Sequence, residues 1–143
     1  MIYTELTRKA MKIAFEAHSG QVDKAGLPYI NHPLHLAEQM HTEDTCVVAL
    51  LHDVVEDTPV TLEELRRAGF TENQLQAIGA MTHKKGVAYM DYVKELRKNK
   101  IAAVVKMADI QHNSDITRIA NPTKNDIKRL DKYKEALEYL KTA

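Results

Sequence analysis

One stretch of the sequence constrains the fold more than any other, because an apolar run leads directly into a cluster of ionisable residues. The run occupies residues 47–51. It is followed by two ionisable pairs, His52-Asp53 and Glu56-Asp57. Successive residues of an α-helix are turned by about 100°, so these four side chains would share one flank of a helix predicted over residues 44–57.

Three carboxylates and an imidazole beside a buried helix require a partner, since desolvating and crowding them costs free energy. Pro59 predicts that the helix ends just after them, which also places the carboxylates at the negative end of its dipole. A bound cation removes both costs, and the sequence therefore predicts that this helix carries a metal site. The alternative, from this stretch alone, is an ordinary helix whose acidic end is solvated.

Two further segments supply residues that suit the same ion. His32 precedes Pro33, and because proline favours the first helical position, His32 is predicted to be a helix N-cap. An apolar helix predicted over residues 101–119 carries three polar residues on one face, Asp109, His112 and Asn113. The candidate ligands are therefore His32, His52, Asp53 and Asp109. Two imidazoles and two carboxylates suit Mn²⁺, Fe²⁺, Co²⁺ or Zn²⁺ rather than a metal that prefers thiolates.

The remaining segments also predict helices. Apolar residues recur at helical spacing in segments that begin at Thr4, Thr61, Thr71, Tyr89 and Thr123, of which Thr61, Thr71 and Thr123 are predicted helix caps. Residues 21–31 lack this periodicity and predict a loop. The chain has 143 residues and shows neither an internal repeat nor a linker. We therefore expect one domain, residues 1–143, folded as an all-α helical bundle.

Composition excludes several classes of protein. The 20 basic and 20 acidic residues balance, so no overall field attracts nucleic acid or an anionic membrane. The single cysteine, Cys46, lies in the apolar run and predicts a buried side chain rather than a disulfide or a cysteine-rich zinc site. No apolar run approaches the ~20 residues of a membrane span, and no signal peptide is evident. We expect a cytoplasmic protein without a nucleic-acid or membrane partner; its oligomeric state stays open.

The predicted site favours hydrolysis of a phosphate-containing substrate. Four protein ligands leave positions of a six-coordinate ion for water and substrate, and a bound cation lowers the pKa of that water. Glu56 and Asp57 lie one turn from the ligands and are candidates for general acid or base, or for orienting the water. Lys24 and the Lys84-Lys85 turn provide positive charge for a phosphate.

Five blocks of this sequence resemble the HD-domain metal-dependent phosphohydrolases. The resemblance is closest to the hydrolase domains of RelA/SpoT-type proteins and their small stand-alone relatives. The blocks, in the family's order, are Ala17–Gln21, Lys24–Ile30, His32–Leu34, Ala49–Thr58 and Lys106–Asn113. Their combination is far more specific than a His-Asp dipeptide alone, and it implies an HD-type helical bundle.

The resemblance also implies an activity and a role for each matched residue. It implies removal of pyrophosphate from the 3′ position of ppGpp or pppGpp, the alarmones of the stringent response, with one Mn²⁺ ion as the cofactor and without a synthetase activity. The implied metal ligands are His32, His52, Asp53 and Asp109. The implied catalytic acids are Glu56 and Asp57, and the implied nucleotide contacts are Lys24 and Asn113.

Two departures from that branch keep alternatives open. Asp23 stands where the branch usually has arginine, and the segment over residues 82–101 is short. The first alternative is an HD phosphohydrolase of another small phosphate ester, such as a nucleoside monophosphate or NADPH. The second is a non-catalytic nucleotide sensor that uses the same pocket, which the presence of both Glu56 and Asp57 disfavours.

Overall fold

The computed structural model describes residues 1–142, and over those residues it contains nine α-helices and one 3₁₀ helix. The α-helices are α1 Glu5–Ala17, α2 Asn31–Glu38, α3 Glu43–Leu51, α4 Val54–Asp57, α5 Leu62–Arg67, α6 Glu72–Met81, α7 Tyr89–Leu96, α8 Lys100–Asn113 and α9 Lys124–Lys141. The 3₁₀ helix, Ile116–Arg118, lies between α8 and α9. The predicted all-α fold is confirmed.

Local sequence explains where many of these helices begin. Several start after a threonine whose side chain accepts a hydrogen bond from a backbone amide three residues later: Thr4, Thr42, Thr61, Thr71 and Thr123. Each such bond satisfies one of the amides that the first helical turn leaves without a partner, which stabilises the helix by about 1 kcal/mol.

Helix α3 forms the centre of the molecule and holds the functional site in place. Residues 45–51 are buried without exception, including Cys46, and α3 packs against α1, α2, α6 and α8. Burial of a valine or leucine side chain contributes about 1.5–3 kcal/mol, so this helix is a rigid support for the residues that follow it. Among residues 1–142, no helix combines the length and the apolar character that crossing a bilayer requires.

The prediction of one continuous helix over residues 44–57 is wrong, because the helix is interrupted at His52 and Asp53. The His52 Nδ1 atom hydrogen-bonds the carbonyl of Ala49 at 2.7 Å. In an uninterrupted helix that carbonyl would accept the amide of Asp53. The backbone of Asp53 turns to φ −97° and ψ −8°, and α4 restarts at Val54. The side chains of His52 and Asp53 therefore converge through a turn rather than through a regular helical flank.

Two other boundaries differ from the predictions. His32 is the second residue of α2 rather than its N-cap, because its amide already donates to Tyr29 O at 3.0 Å and Ile30 occupies the cap. The helix predicted over residues 101–119 ends at Asn113 and is followed by the separate 3₁₀ helix. Residues 21–30 form a loop as predicted, closed by an antiparallel bridge between Val22 and Pro28.

Candidate metal centre and adjoining cleft

Three of the four candidate ligands meet at one point although they come from separate helices. His32 on α2, His52 after α3 and Asp109 on α8 are all buried, and each offers one ligand atom within 4.8 Å of the others. The His32 Nε2 atom lies 2.8 Å from Asp109 Oδ1, and the His52 Nε2 atom lies 3.6 Å from the same oxygen. The packing of α2 and α8 against α3 brings these side chains together.

Asp53 lies at the edge of this group and links it to a second one. Its Oδ2 atom is 2.9 Å from His52 Nε2 and accepts a hydrogen bond from the Tyr29 hydroxyl. Asp53 also belongs to a carboxylate group with Glu56 and Asp57, in which one oxygen of each residue lies within 4.8 Å of the others. The predicted ligands and the predicted catalytic acids are thus neighbours in space.

The state of His52 shows that this arrangement fits a divalent cation. Because its Nδ1 atom bonds a carbonyl, which only accepts, the proton of the neutral ring lies on Nδ1 and the Nε2 lone pair faces the carboxylates. That Nε2 atom is buried and, within residues 1–142, makes no hydrogen bond of acceptable geometry despite the approach of Asp53. A buried imidazole lone pair beside two carboxylates is a ligand set typical of a first-row transition metal.

Neighbouring protein charges shift the pKa values of the buried ligand residues strongly. Burial alone would raise the pKa of Asp109, but the Lys106 ammonium 2.8 Å away, with the two histidines, holds that pKa well below its usual value. Burial alone would lower the pKa of His52, but Asp53 and Asp109 raise it well above its usual range. The protein therefore concentrates negative charge at this point, and a cation would take the place of a protonated imidazole.

Three residues support the ligands in ways that were not predicted from the sequence, although His112 was noted on the same helix face as Asp109. The Lys106 Nζ atom binds Asp109 Oδ2, and Tyr29 binds Asp53. His112 Nδ1 shares a hydrogen bond of 2.7 Å with His32 Nδ1, and burial together with Arg118 lowers the pKa of His112 to about 4. All three supporting residues lie inside the blocks that carry the family resemblance. Their position inside those blocks was the one sequence signal that could have pointed to them. Helical periodicity does not reveal which side chains contact the ligands.

Glu56 and Asp57 are exposed at the mouth of the site. Glu56 Oε1 accepts a hydrogen bond of 3.1 Å from the amide of His83. Burial raises the pKa of Glu56 and of Asp57, and the charge of Asp53 raises both further. Carboxyl groups with raised pKa values are suited to proton transfer near neutral pH.

A cleft of about 310 Å³ opens beside the metal centre, with His32 on its wall. Lys24 and Asn113, the predicted nucleotide contacts, both line it. Lys24 pairs with Asp126 at 2.5 Å, and Asn113 Nδ2 donates to Asp109 Oδ1 at 3.1 Å. Lys84 lies elsewhere, on a separate cleft between α6 and α7.

Two arginines that the sequence did not single out also line this cleft, where each lies beside an aspartate. Arg129 on α9 and Arg118 in the 3₁₀ helix both line it. The Arg118 guanidinium lies 3.7 Å from the carboxylate of Asp23, the residue that departs from the family pattern. The charge of Asp23 is therefore balanced by an arginine from a distant part of the chain.

Comparison with known proteins agrees with this geometry. A family model described as HD domain matches residues 10–137. The bifunctional (p)ppGpp synthase/hydrolase SpoT of Escherichia coli strain K12 is 32% identical over 121 residues, which cover 74% of this chain and 17% of that protein. A guanosine-3′,5′-bis(diphosphate) 3′-pyrophosphohydrolase of Aquifex aeolicus is 33% identical over 108 residues, covering 73% of this chain and 15% of that protein.

A solved structure of a metazoan ortholog of SpoT, a protein that hydrolyses ppGpp, has the same fold. It superposes with a TM-score of 0.81 at 20% identity, covering 99% of this chain and 88% of the other. This similarity confirms the predicted HD-type helical architecture. The chain spans less than a fifth of the length of the bacterial relatives described above.

Proposed function

The chain belongs to the HD domain family, whose members are metal-dependent, and from this premise we propose that it is a phosphohydrolase that removes the 3′-pyrophosphate of ppGpp. The observation that carries the proposal is the convergence of His32, His52 and Asp109 beside a cleft lined by Lys24, Arg118 and Arg129. Several relatives are named for the same reaction, as guanosine-3′,5′-bis(diphosphate) 3′-pyrophosphohydrolases.

We assign His32, His52, Asp53 and Asp109 as the ligands of one divalent cation, and we propose that this cation is Mn²⁺. Mixed imidazole and carboxylate ligands support this choice. When bound, such a cation lowers the pKa of a coordinated water and polarises phosphate oxygens. Lys106, Tyr29 and His112 hold three of these ligands in place, which fixes the geometry before substrate arrives.

In the proposed reaction, Glu56 and Asp57 manage the protons. One carboxylate accepts a proton from the attacking water, and the other donates a proton to the ribose 3′ oxygen as its bond to phosphorus breaks. With ppGpp the products are pyrophosphate and GDP. The raised pKa values of both carboxyls support this division, because one of the pair then holds its proton more readily near neutral pH. Lys24 and Asn113 contact the nucleotide along the cleft.

The proposal extends to the setting of the protein. It places residues 1–143 in one HD domain that acts in the cytoplasm on a small nucleotide, without nucleic acid or membrane as a partner. The balance of 20 basic and 20 acidic residues supports the absence of a nucleic-acid partner, since proteins that bind nucleic acid concentrate positive charge.

A hydrolysis screen with identification of both products tests the proposed function. The purified protein is incubated with Mn²⁺ and ppGpp, pppGpp, nucleoside monophosphates or NADPH. We expect pyrophosphate together with GDP or GTP. Release of inorganic phosphate from another ester would support the alternative of a different small phosphate substrate. Nucleotide binding without any turnover would contradict the proposal and favour a sensor.

A further inference from the structure

One pair of side chains in the cleft is built to bind a third group. Asp23 and Arg118 line the cleft from separate segments, one on the loop before α2 and the other in the 3₁₀ helix after α8. Their closest charged atoms, Asp23 Oδ2 and Arg118 Nη2, are 3.7 Å apart. This separation is too long for a hydrogen bond, so both atoms keep hydrogen-bonding capacity that the pair itself does not use.

The other half of each side chain is anchored. Asp23 Oδ1 accepts hydrogen bonds from the amides of Ala25 and Leu27, at 2.9 and 3.0 Å. Arg118 Nη1 donates to the carbonyl of His112 at 2.9 Å. The side chains are only 15% and 24% exposed. The acceptor Oδ2 and the donor Nη2 are therefore held in fixed positions, and a ligand would not have to order them on binding.

The same cleft also contains apolar side chains. Val22, Ile116 and Ile119 line the same cleft, and Val22 is 62% exposed at its edge. Apolar side chains in the same cleft as a fixed donor and a fixed acceptor suit a flat heterocycle, because its faces are apolar and its edge is polar. The pair is also close to the chemistry. Arg118 Nη1 lies 3.4 Å from Asn113 Oδ1, and Asn113 donates to the ligand residue Asp109.

We infer that Asp23 and Arg118 read the base of the substrate and select a 6-oxopurine over a 6-aminopurine. Guanine presents an acceptor, O6, next to a donor, N1–H, and a second donor, the 2-amino group. Arg118 Nη2 matches the acceptor and Asp23 Oδ2 matches the donors. Adenine presents the reverse order, a 6-amino donor beside the N1 acceptor, so it would place donor against donor and acceptor against acceptor. A site built this way discriminates strongly, because the wrong base leaves its polar groups unpaired.

This inference rests on the proposed function only in placing a purine nucleotide in the cleft. Its test therefore uses binding of nucleotides that lack a 3′-phosphate, measured by calorimetry with Mn²⁺ present. We expect the wild-type protein to bind GDP and IDP at least tenfold more tightly than ADP. IDP is informative because it keeps O6 and N1–H but lacks the 2-amino group.

The decisive variant is Asp23→Asn. Its oxygen can keep the two bonds that close the loop, while its amide group presents a donor where the carboxylate presented an acceptor. We expect GDP and IDP to bind at least tenfold more weakly and ADP to bind equally well or more tightly. Arg118→Lys, which keeps the charge but not the planar fork, should weaken GDP and IDP selectively as well. Asp131→Asn, on the exposed face of α9, is the matched control and should change nothing.

The outcomes separate this inference from the proposed function. Base reading would be overturned if the wild type bound GDP and ADP equally well. It would also be overturned if Asp23→Asn lost affinity for GDP and ADP equally at an unchanged melting temperature. Either result would leave the hydrolase proposal standing. A clear preference for GDP without release of pyrophosphate from ppGpp would support base reading and overturn the hydrolase proposal. If Asp23→Asn melts at a lower temperature than wild type, the test uses Arg118→Lys instead. A selective loss of GDP and IDP affinity in that variant supports base reading, and an equal loss of ADP affinity overturns it.

Discussion

Replacing Lys106 with methionine removes an ammonium group held 2.8 Å from Asp109 Oδ2. The pair is deeply placed, because the two side chains are 13% and 7% exposed. Removing one partner of a buried ion pair costs about 3–5 kcal/mol, since the other charge stays desolvated. Asp109 keeps hydrogen bonds with His32 and Asn113, at 2.8 and 3.1 Å, so we expect the lower end, about 3 kcal/mol, in metal-free protein.

Urea denaturation followed by circular dichroism measures this loss. With a slope of about 1.5 kcal/mol per molar urea, the midpoint in EDTA should fall by about 2 M. In saturating Mn²⁺ the loss of unfolding free energy should shrink to less than half, because the metal ion at Asp109 then takes the place of the missing ammonium. The variant also lacks the positive charge of Lys106, which repels the metal ion in the wild type. Lys106→Met should therefore also bind Mn²⁺ more tightly than wild type.

Lys98→Met is a closely matched control. Lys98 and Glu95 form an ion pair at 2.9 Å with the same sequence separation of three residues, but their side chains are 75% and 76% exposed. Its midpoint should match wild type within error, since solvent screens such pairs. The reasoning fails if Lys106→Met loses no more stability than Lys98→Met. It also fails if the loss is the same in EDTA and in Mn²⁺, because Asp109 would then not share a cation.

Three further predictions concern the same centre. His52→Ala should abolish Mn²⁺-dependent turnover and Mn²⁺ binding measured by calorimetry. His41 is exposed, and the control His41→Ala should retain both. Retained Mn²⁺ binding in His52→Ala would refute the ligand assignment. Tyr29→Phe removes the hydrogen bond to Asp53 and should weaken Mn²⁺ about 10-fold; unchanged affinity would mean that the hydroxyl does not orient the ligand. Burial raises the pKa of Glu56 in the folded protein, so its ionised form opposes folding. Metal-free Glu56→Gln should thus melt slightly above wild type at pH 8, and the difference should vanish as the pH falls through that raised pKa; a constant difference across pH would count against this explanation.

Much of the site was accessible from the sequence because its elements are locally encoded. Helix periodicity and threonine caps act within one or two turns, so the helices and most of their starts could be predicted. Three candidate ligands, His52, Asp53 and Asp109, followed from polar residues placed at the ends of apolar runs, and His32 followed from the proline after it. The interruption at His52 could not be predicted, because it depends on a side chain that competes for a backbone carbonyl, and helical periodicity does not report such competition.

Contacts between distant segments were decided only by the tertiary structure. Asp23 appeared in the sequence as a departure from the family pattern, and only the fold shows Arg118 lying 3.7 Å from it. Lys106 had no predicted role in the sequence, and only the structure shows its buried pairing with Asp109. The sequence alone determined which helices form and which residues are able to bind a metal. The packing of α2 and α8 against the buried helix α3 decided which of those residues meet, because such contacts depend on how whole helices fit together rather than on their neighbours in the chain.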